Sequence, residues 1–241
     1  MAILRPTIIA VFSLLIVPHL AAQSLDEIVV TGSRVGSFAN DSVPVIHIKR
    51  HADFLVLNTY IESDSRDAKL RSKEVRETLE ALFKRAKTAK QIELGLIKSF
   101  ETDNEEFEYI VPFTLDAAEL SGGYRADTSR VSFVVKSPIQ ASDTSPEAVL
   151  ERIEAFTESV KVSGRAVVAD SGDVNLSLVN IAQYRMPLLK MIAEDSKRVS
   201  EIFGDDYAVN VAGVDEQVRW KVVGPMQIAI YFPYLSSVYP K

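Results

Sequence analysis

Apolar and polar residues alternate most regularly over residues 53–63. There Leu55, Leu57, Thr59, Ile61 and Ser63 fall on one side of an extended chain, and Phe54, Val56, Asn58, Tyr60 and Glu62 on the other. The set containing Ile61 is the better core face. A weaker strand pattern covers residues 43–49 just before it. Asp64-Ser65-Arg66-Asp67 then supplies helix N-caps, and Val75, Leu79, Leu82 and Ala86 recur at helical spacing, which predicts a helix over residues 68–89. Strands are expected at 91–100 and 105–113, joined as a hairpin through the turn Thr102-Asp103-Asn104. Ser121-Gly122-Gly123 breaks the chain ahead of a strand at 129–136, whose Val131, Phe133 and Val135 share a side.

In the second half, Ser145-Pro146-Glu147 starts a helix: Ser can cap, Pro is preorganised at the first helical position, and Glu complements the dipole. Val149, Ile153, Phe156 and Val160 form its buried stripe. Short strands at 165–170 and 174–178 read as a hairpin turning at Ser171-Gly172-Asp173. A third helix, beginning at Ile181 or Met186 and blurred at its start by Pro187, runs to Phe203. It carries Leu188, Ile192, Val199 and Ile202 inward and stops at Gly204. The tail is strand-like at 207–211, 218–223 and 226–232, while Pro233 and Pro240 argue for an edge or unpaired end. Helices are too sparse for regular βαβ alternation, so the expected fold is α+β, with antiparallel sheets and about three helices packed on one face.

The N-terminus has a different character. Arg5 precedes an apolar run over residues 7–17, and Leu20-Ala21-Ala22-Gln23 offers small residues for cleavage, so residues 1–22 read as a signal peptide cut after Ala22. The run is interrupted by Pro18 and His19 and is shorter than the roughly 20 residues that span a bilayer. No later segment is long and apolar enough to be a transmembrane helix. Residues 23–42, rich in Gly, Ser and Asn after one β-branched run, read as a flexible lead-in to a single domain over 43–241. With 47% hydrophobic and 25% charged residues the chain can bury a normal core, and its net charge of -6 argues against a nucleic-acid partner. Having no cysteine, it can form neither a disulfide nor a thiolate site.

Catalytic and cofactor signals are missing from the pattern. His47 and His51 are the histidines left after cleavage, and in an extended strand they stand about 13 Å apart, too far to share an ion. They read as exposed histidines of an edge strand. No Gly-x-Ser-x-Gly elbow, phosphate loop or Gly-x-Gly-x-x-Gly motif occurs. The acidic runs at 103–108 and at Asp205-Asp206 read as solvated turns, and Trp220 as a packed strand residue. The expectation is a protein without catalytic residues, metal or cofactor.

Two resemblances follow from particular residues. Glu27, Ile28, Val29, Val30 and Thr31, continuing through Gly32-Ser33-Arg34, look like the TonB box of TonB-dependent outer-membrane receptors, where an extended strand pairs edge to edge with TonB. The chain is too short to add a plug and a transporter barrel of roughly 22 strands. The segment serves either as a docking strand or as the first strand of the domain. From Asp53 to about Phe232, the strand before a long first helix, the segment Ser121-Gly122-Gly123-Tyr124-Arg125-Ala126 ahead of a strand, the helix start at Ser145 and the charged third helix resemble the SIMPL-domain family of exported bacterial proteins. Met186-Pro187-Leu188-Leu189-Lys190 replaces the Ala-rich third helix usual there. The resemblance implies a non-enzymatic envelope protein, periplasmic or outer-membrane-associated, that forms oligomers. Its expected partner is itself or another envelope protein, TonB among the candidates.

Overall fold

The computed structural model describes residues 27–30, 43–102, 105–123, 125 and 127–241. Residues 1–26, which include the segment read as a signal peptide, residues 31–42 with Thr31, residues 103–104 of the expected hairpin turn, and Tyr124 and Ala126 of the Gly-Tyr-Arg-Ala run lie outside it.

The alternating segment forms β3 (Phe54–Ser63), the hub of the fold. It pairs antiparallel along its length with β7 (Ser129–Pro138), from Phe54↔Pro138 to Ser63↔Ser129, and along its other edge with β8 (Val167–Val179). Beyond β8 come β1 (Glu27–Val30), β5 (Glu105–Pro112) and β4 (Glu93–Thr102), and β4 returns to β7. The order β3-β8-β1-β5-β4-β7 thus closes on itself as a six-stranded antiparallel barrel, with the short β6 (Ser121–Gly122) hanging on β7. Closure leaves these six strands no free edge along the shared ladder.

The outer face of β3 and β7 carries two helices. α1 (Ala68–Ala86) begins at Asp67, whose carboxylate accepts from the Leu70 amide at 2.8 Å, and α2 (Pro146–Glu158) begins after Ser145. Val75, Leu79 and Leu82 of α1 and Val149, Ile153 and Phe156 of α2 pack with Leu55, Leu57 and Ile61 into the larger core. Each such side chain contributes about 1.5–3 kcal/mol when fully buried.

A second core lies against the other side of the barrel. Ile28, Leu176 and Leu178 pack there against α3 (Arg185–Phe203) and a three-stranded sheet of β10 (Arg219–Gly224), β11 (Gln227–Tyr231) and β2 (Ile48–His51). α3 also packs on a two-stranded ribbon of β9 (Tyr207–Ala212) and β12 (Leu235–Pro240). The α+β class and the antiparallel pairing stand as expected, but the helices do not share one face: α1 and α2 cover the barrel, and α3 belongs to the second core.

Three local expectations are corrected. Ser171-Gly172-Asp173 is not a hairpin turn, because both flanking segments pair with β3 in one line, Leu57↔Val174 and Thr59↔Asp170. Three residues of β8 therefore stand opposite Asn58 alone, and Gly172 absorbs the resulting bulge at φ +79°. The strand expected at 43–49 begins only at Ile48. Ile202, expected inward, is 80% exposed, because only Leu188 and Ile192 of α3 reach full burial. Of the two alternatives for the proline-flanked end, the edge strand holds: β12 is an edge of its two-stranded ribbon, with Pro233 preceding it and Pro240 closing it, which leaves the intervening amides free to pair.

Candidate functional site

The segment read as a docking box supplies β1. Glu27, Ile28, Val29 and Val30 pair with β8, from Glu27↔Val179 to Val30↔Leu176, while the opposite edge pairs with β5 at Ile28↔Tyr109. Ile28 and Val29 are buried on opposite faces, one in the second core and the other inside the barrel. Edge-to-edge docking requires an unpaired strand edge. In this fold β1 is paired along β8 and, at Ile28, to β5, so residues 27–30 form a strand of the barrel.

The inward face of β1 also carries charge. Glu27 pairs with Lys136 of β7 through Oε2 and accepts a hydrogen bond from Ser177 Oγ through Oε1 at 2.6 Å. Glu27, Lys136 and Ser177 are all buried, Lys136 Nζ sits 4.2 Å from the centroid of the Phe54 ring, and Glu93 approaches the same ammonium at 3.1 Å from the rim. With its charge paired and shielded, the cluster works as a latch that closes one end of the barrel. Shifting β1 by one residue would turn Glu27 into the apolar second core, so the latch also sets register.

Two further buried carboxylates are structural clamps. Glu74 of α1 accepts from the hydroxyls of Ser63 and Ser65, and the Ser63 bond foremost holds its carboxyl below the usual range against the opposing effect of burial. Gly164 lies so close that a Cβ there would sit 2.0 Å from Glu74 Oε1. Asp143 receives both arms of the Arg152 guanidinium at 2.7 and 2.8 Å, which holds its carboxyl low and ties α2 to the end of β7 through Ser137 and Pro138.

The remaining sequence candidates are dispersed. His51 is exposed on the edge strand β2, whereas His47 precedes the strand and its Nδ1 bonds Pro44 O at 2.9 Å. Among the described residues no group of three or more His, Asp or Glu side chains could hold a metal ion. Trp220 packs against Phe107 of β5 with centroids 5.9 Å apart, and Asp205-Asp206 sits exposed between α3 and β9. No helix of the described residues is long and apolar enough to cross a membrane.

What the strand pattern did not show is the contrast between the sheet edges left open. The three-stranded sheet ends in β10, with Arg219 and Lys221, and in β2, with Lys49, Arg50 and His51. Charged edge residues of this kind discourage pairing with another chain. The β9–β12 ribbon has no charge in either strand, YAVNVA and LSSVYP. Beside it, Leu235, Tyr239 and Tyr207, with Ile202 and Phe203 of α3, are exposed at 77, 48, 38, 80 and 52%. A lack of charge over residues 207–212 and 235–240 was the available signal, and the prolines there left an edge strand and an unpaired end as equal alternatives. Comparison with protein-family models, with curated proteins and with solved structures found no match to this chain.

Proposed function

We propose that this is an exported, SIMPL-like envelope protein that acts by association and not by catalysis, with the β9–β12 ribbon as the edge that pairs with a second copy. The observation that carries this reading is the uncharged, apolar-flanked ribbon beside sheet edges that are otherwise charged. An isolated two-stranded ribbon is marginal in water, and pairing one of its edges with another chain adds main-chain hydrogen bonds and covers apolar surface. A strand edge of this kind is self-complementary: β12 can lie antiparallel to β12 of another copy about a two-fold axis. TonB docking through residues 27–34 would first require β1 to leave the barrel, at the expense of its ladders and of the Glu27–Lys136 pair.

The test is light scattering on a size-exclusion column with the processed chain and with Ser237→Lys, which places a charge on an exposed β12 position. The expected result is a discrete multiple of the chain mass, falling to one chain in the variant with an unchanged circular dichroism spectrum. A monomeric native protein, or a variant assembling like the native one, overturns the proposal.

A further inference from the structure

The barrel interior is layered. At one end lies the Glu27–Lys136–Ser177 latch. Above it Val29, Val56, Ile110 and Val134, with Ile97 against them, form an apolar belt. The belt is tight, since a Cβ on Gly95 would meet Ile110 Cγ2 at 2.4 Å. Beyond the belt the interior opens at the barrel mouth into a cavity of about 430 Å³ whose lining comes from β3, β4, β5, β7 and β8.

The polar lining of this mouth includes Asn58, Glu108, Arg130, Ser132, Ser171 and Asp173. Two of its atoms are buried without a hydrogen-bond partner: Asn58 Oδ1 and Arg130 Nε. Leaving such a group unpaired is unfavourable, and a bound ligand that pairs it recovers that cost. The Arg130 guanidinium is held over the Tyr60 ring, its Cζ 3.5 Å from the centroid. That stack fixes the plane of the fork while leaving its N–H groups directed to the sides. Among the described residues Arg130 forms no ion pair, and neither do Glu108 and Asp173, although all three line one cavity. A purely structural arrangement would let these opposite charges neutralise one another, as Asp143 and Arg152 do elsewhere. The β8 bulge is a second, independent feature. Its extra residues carry Ser171 and Asp173 to the mouth, joined by a 3.2 Å hydrogen bond from Ser171 Oγ to Asp173 Oδ2, and bulges commonly re-aim side chains at binding sites.

Unpaired charges of both signs, with an unpaired acceptor in the same lining, match a ligand that carries both charges itself. We propose that the barrel mouth binds a small zwitterion of the α-amino-acid class, its carboxylate on the Arg130 guanidinium and its ammonium among Asn58 Oδ1, Glu108 and Asp173. A carboxylate suits the fork because it can accept two parallel N–H bonds, and an ammonium suits the three acceptors because it offers donors only. The apolar belt forms the floor on which a neutral side chain can rest.

The site is independent of ribbon pairing, so Ser237→Lys should keep it. The experiment is calorimetric titration of the full processed chain with the free neutral α-amino acids, each alongside its N-acetyl and carboxamide forms. At least one free amino acid is expected to bind saturably, and blocking either charged end should weaken it by about tenfold or more. Arg130→Gln should weaken the free acid similarly while leaving the carboxamide form unchanged. Ser132→Phe, which fills the mouth without touching a charge, should abolish binding of both and provides the second arm should Arg130→Gln fail to fold. Absence of saturable binding across the panel, a carboxamide that binds as tightly as the acid, or an unchanged affinity in Ser132→Phe overturns the proposal.

Discussion

The Glu27–Lys136 latch yields the sharpest energetic prediction, because it joins the N-terminal strand to the middle of the chain through buried groups. Replacing Lys136 by Met leaves the Glu27 carboxylate inside the barrel with only the Ser177 hydroxyl as partner, and replacing Glu27 by Leu leaves the ammonium with Glu93 at the rim. Removing one member of a buried pair costs about 3–5 kcal/mol, whereas replacing both with apolar residues of similar size is often close to neutral. Glu93 should soften the Glu27→Leu variant, so the expected order is a loss of about 3–4 kcal/mol for Lys136→Met, about 2–3 for Glu27→Leu, and less than about 1.5 for the double substitution. At a urea dependence of about 2–3 kcal/mol per molar, Lys136→Met should lower the unfolding midpoint by roughly 1–2 M. Equilibrium unfolding of the four proteins closes the cycle, and amide hydrogen exchange at Ile28 locates the effect, since Ile28 pairs with Leu178 on β8. Additive single effects, or an Ile28 amide whose protection survives Lys136→Met while stability falls, would refute the latch.

Two further predictions concern the clamps. Gly164→Ala meets both a left-handed backbone, φ +55°, and the Glu74 carboxylate, so it should cost about 2–4 kcal/mol and lower the melting temperature by roughly 5–12 °C. Gly172→Ala, at φ +79° with open space around it, bears the backbone cost alone; equal losses in the two variants would show that Glu74 is not held as described. Asp143→Asn should cost about 2 kcal/mol at neutral pH by removing the charge from a bidentate pair. Because Arg152 depresses the folded carboxyl, the native advantage over this variant is fully present above the unfolded value near pH 4. It should shrink as pH falls through the folded value below it, and a gap that instead widens in acid contradicts the assignment.

The elements written in local contacts were legible from the sequence. The alternation of residues 54–63 marked β3, Asp67 and the 75/79/82 spacing marked α1, and Ser145-Pro146 marked α2, because period, capping and proline geometry act over a few residues. The same alternation held a further message in Val56, whose face opposite Leu55 and Leu57 is buried too, as a strand of a closed barrel requires. What the sequence could not decide was every choice between local and distant pairing. A Ser-Gly-Asp run can turn a hairpin or bulge a strand. It bulges here because β3 offers one continuous partner to both halves of β8. Residues 27–30 can dock elsewhere or close the barrel. They close it because β8, β5, Lys136 and Ser177, all remote in the chain, present the matching ladders and charges together. The residue types of the mouth, Asn58, Glu108, Arg130 and Asp173, were likewise visible from the start, but only barrel closure brings them around one cavity, since their proximity depends on hydrogen bonds between strands far apart in the chain.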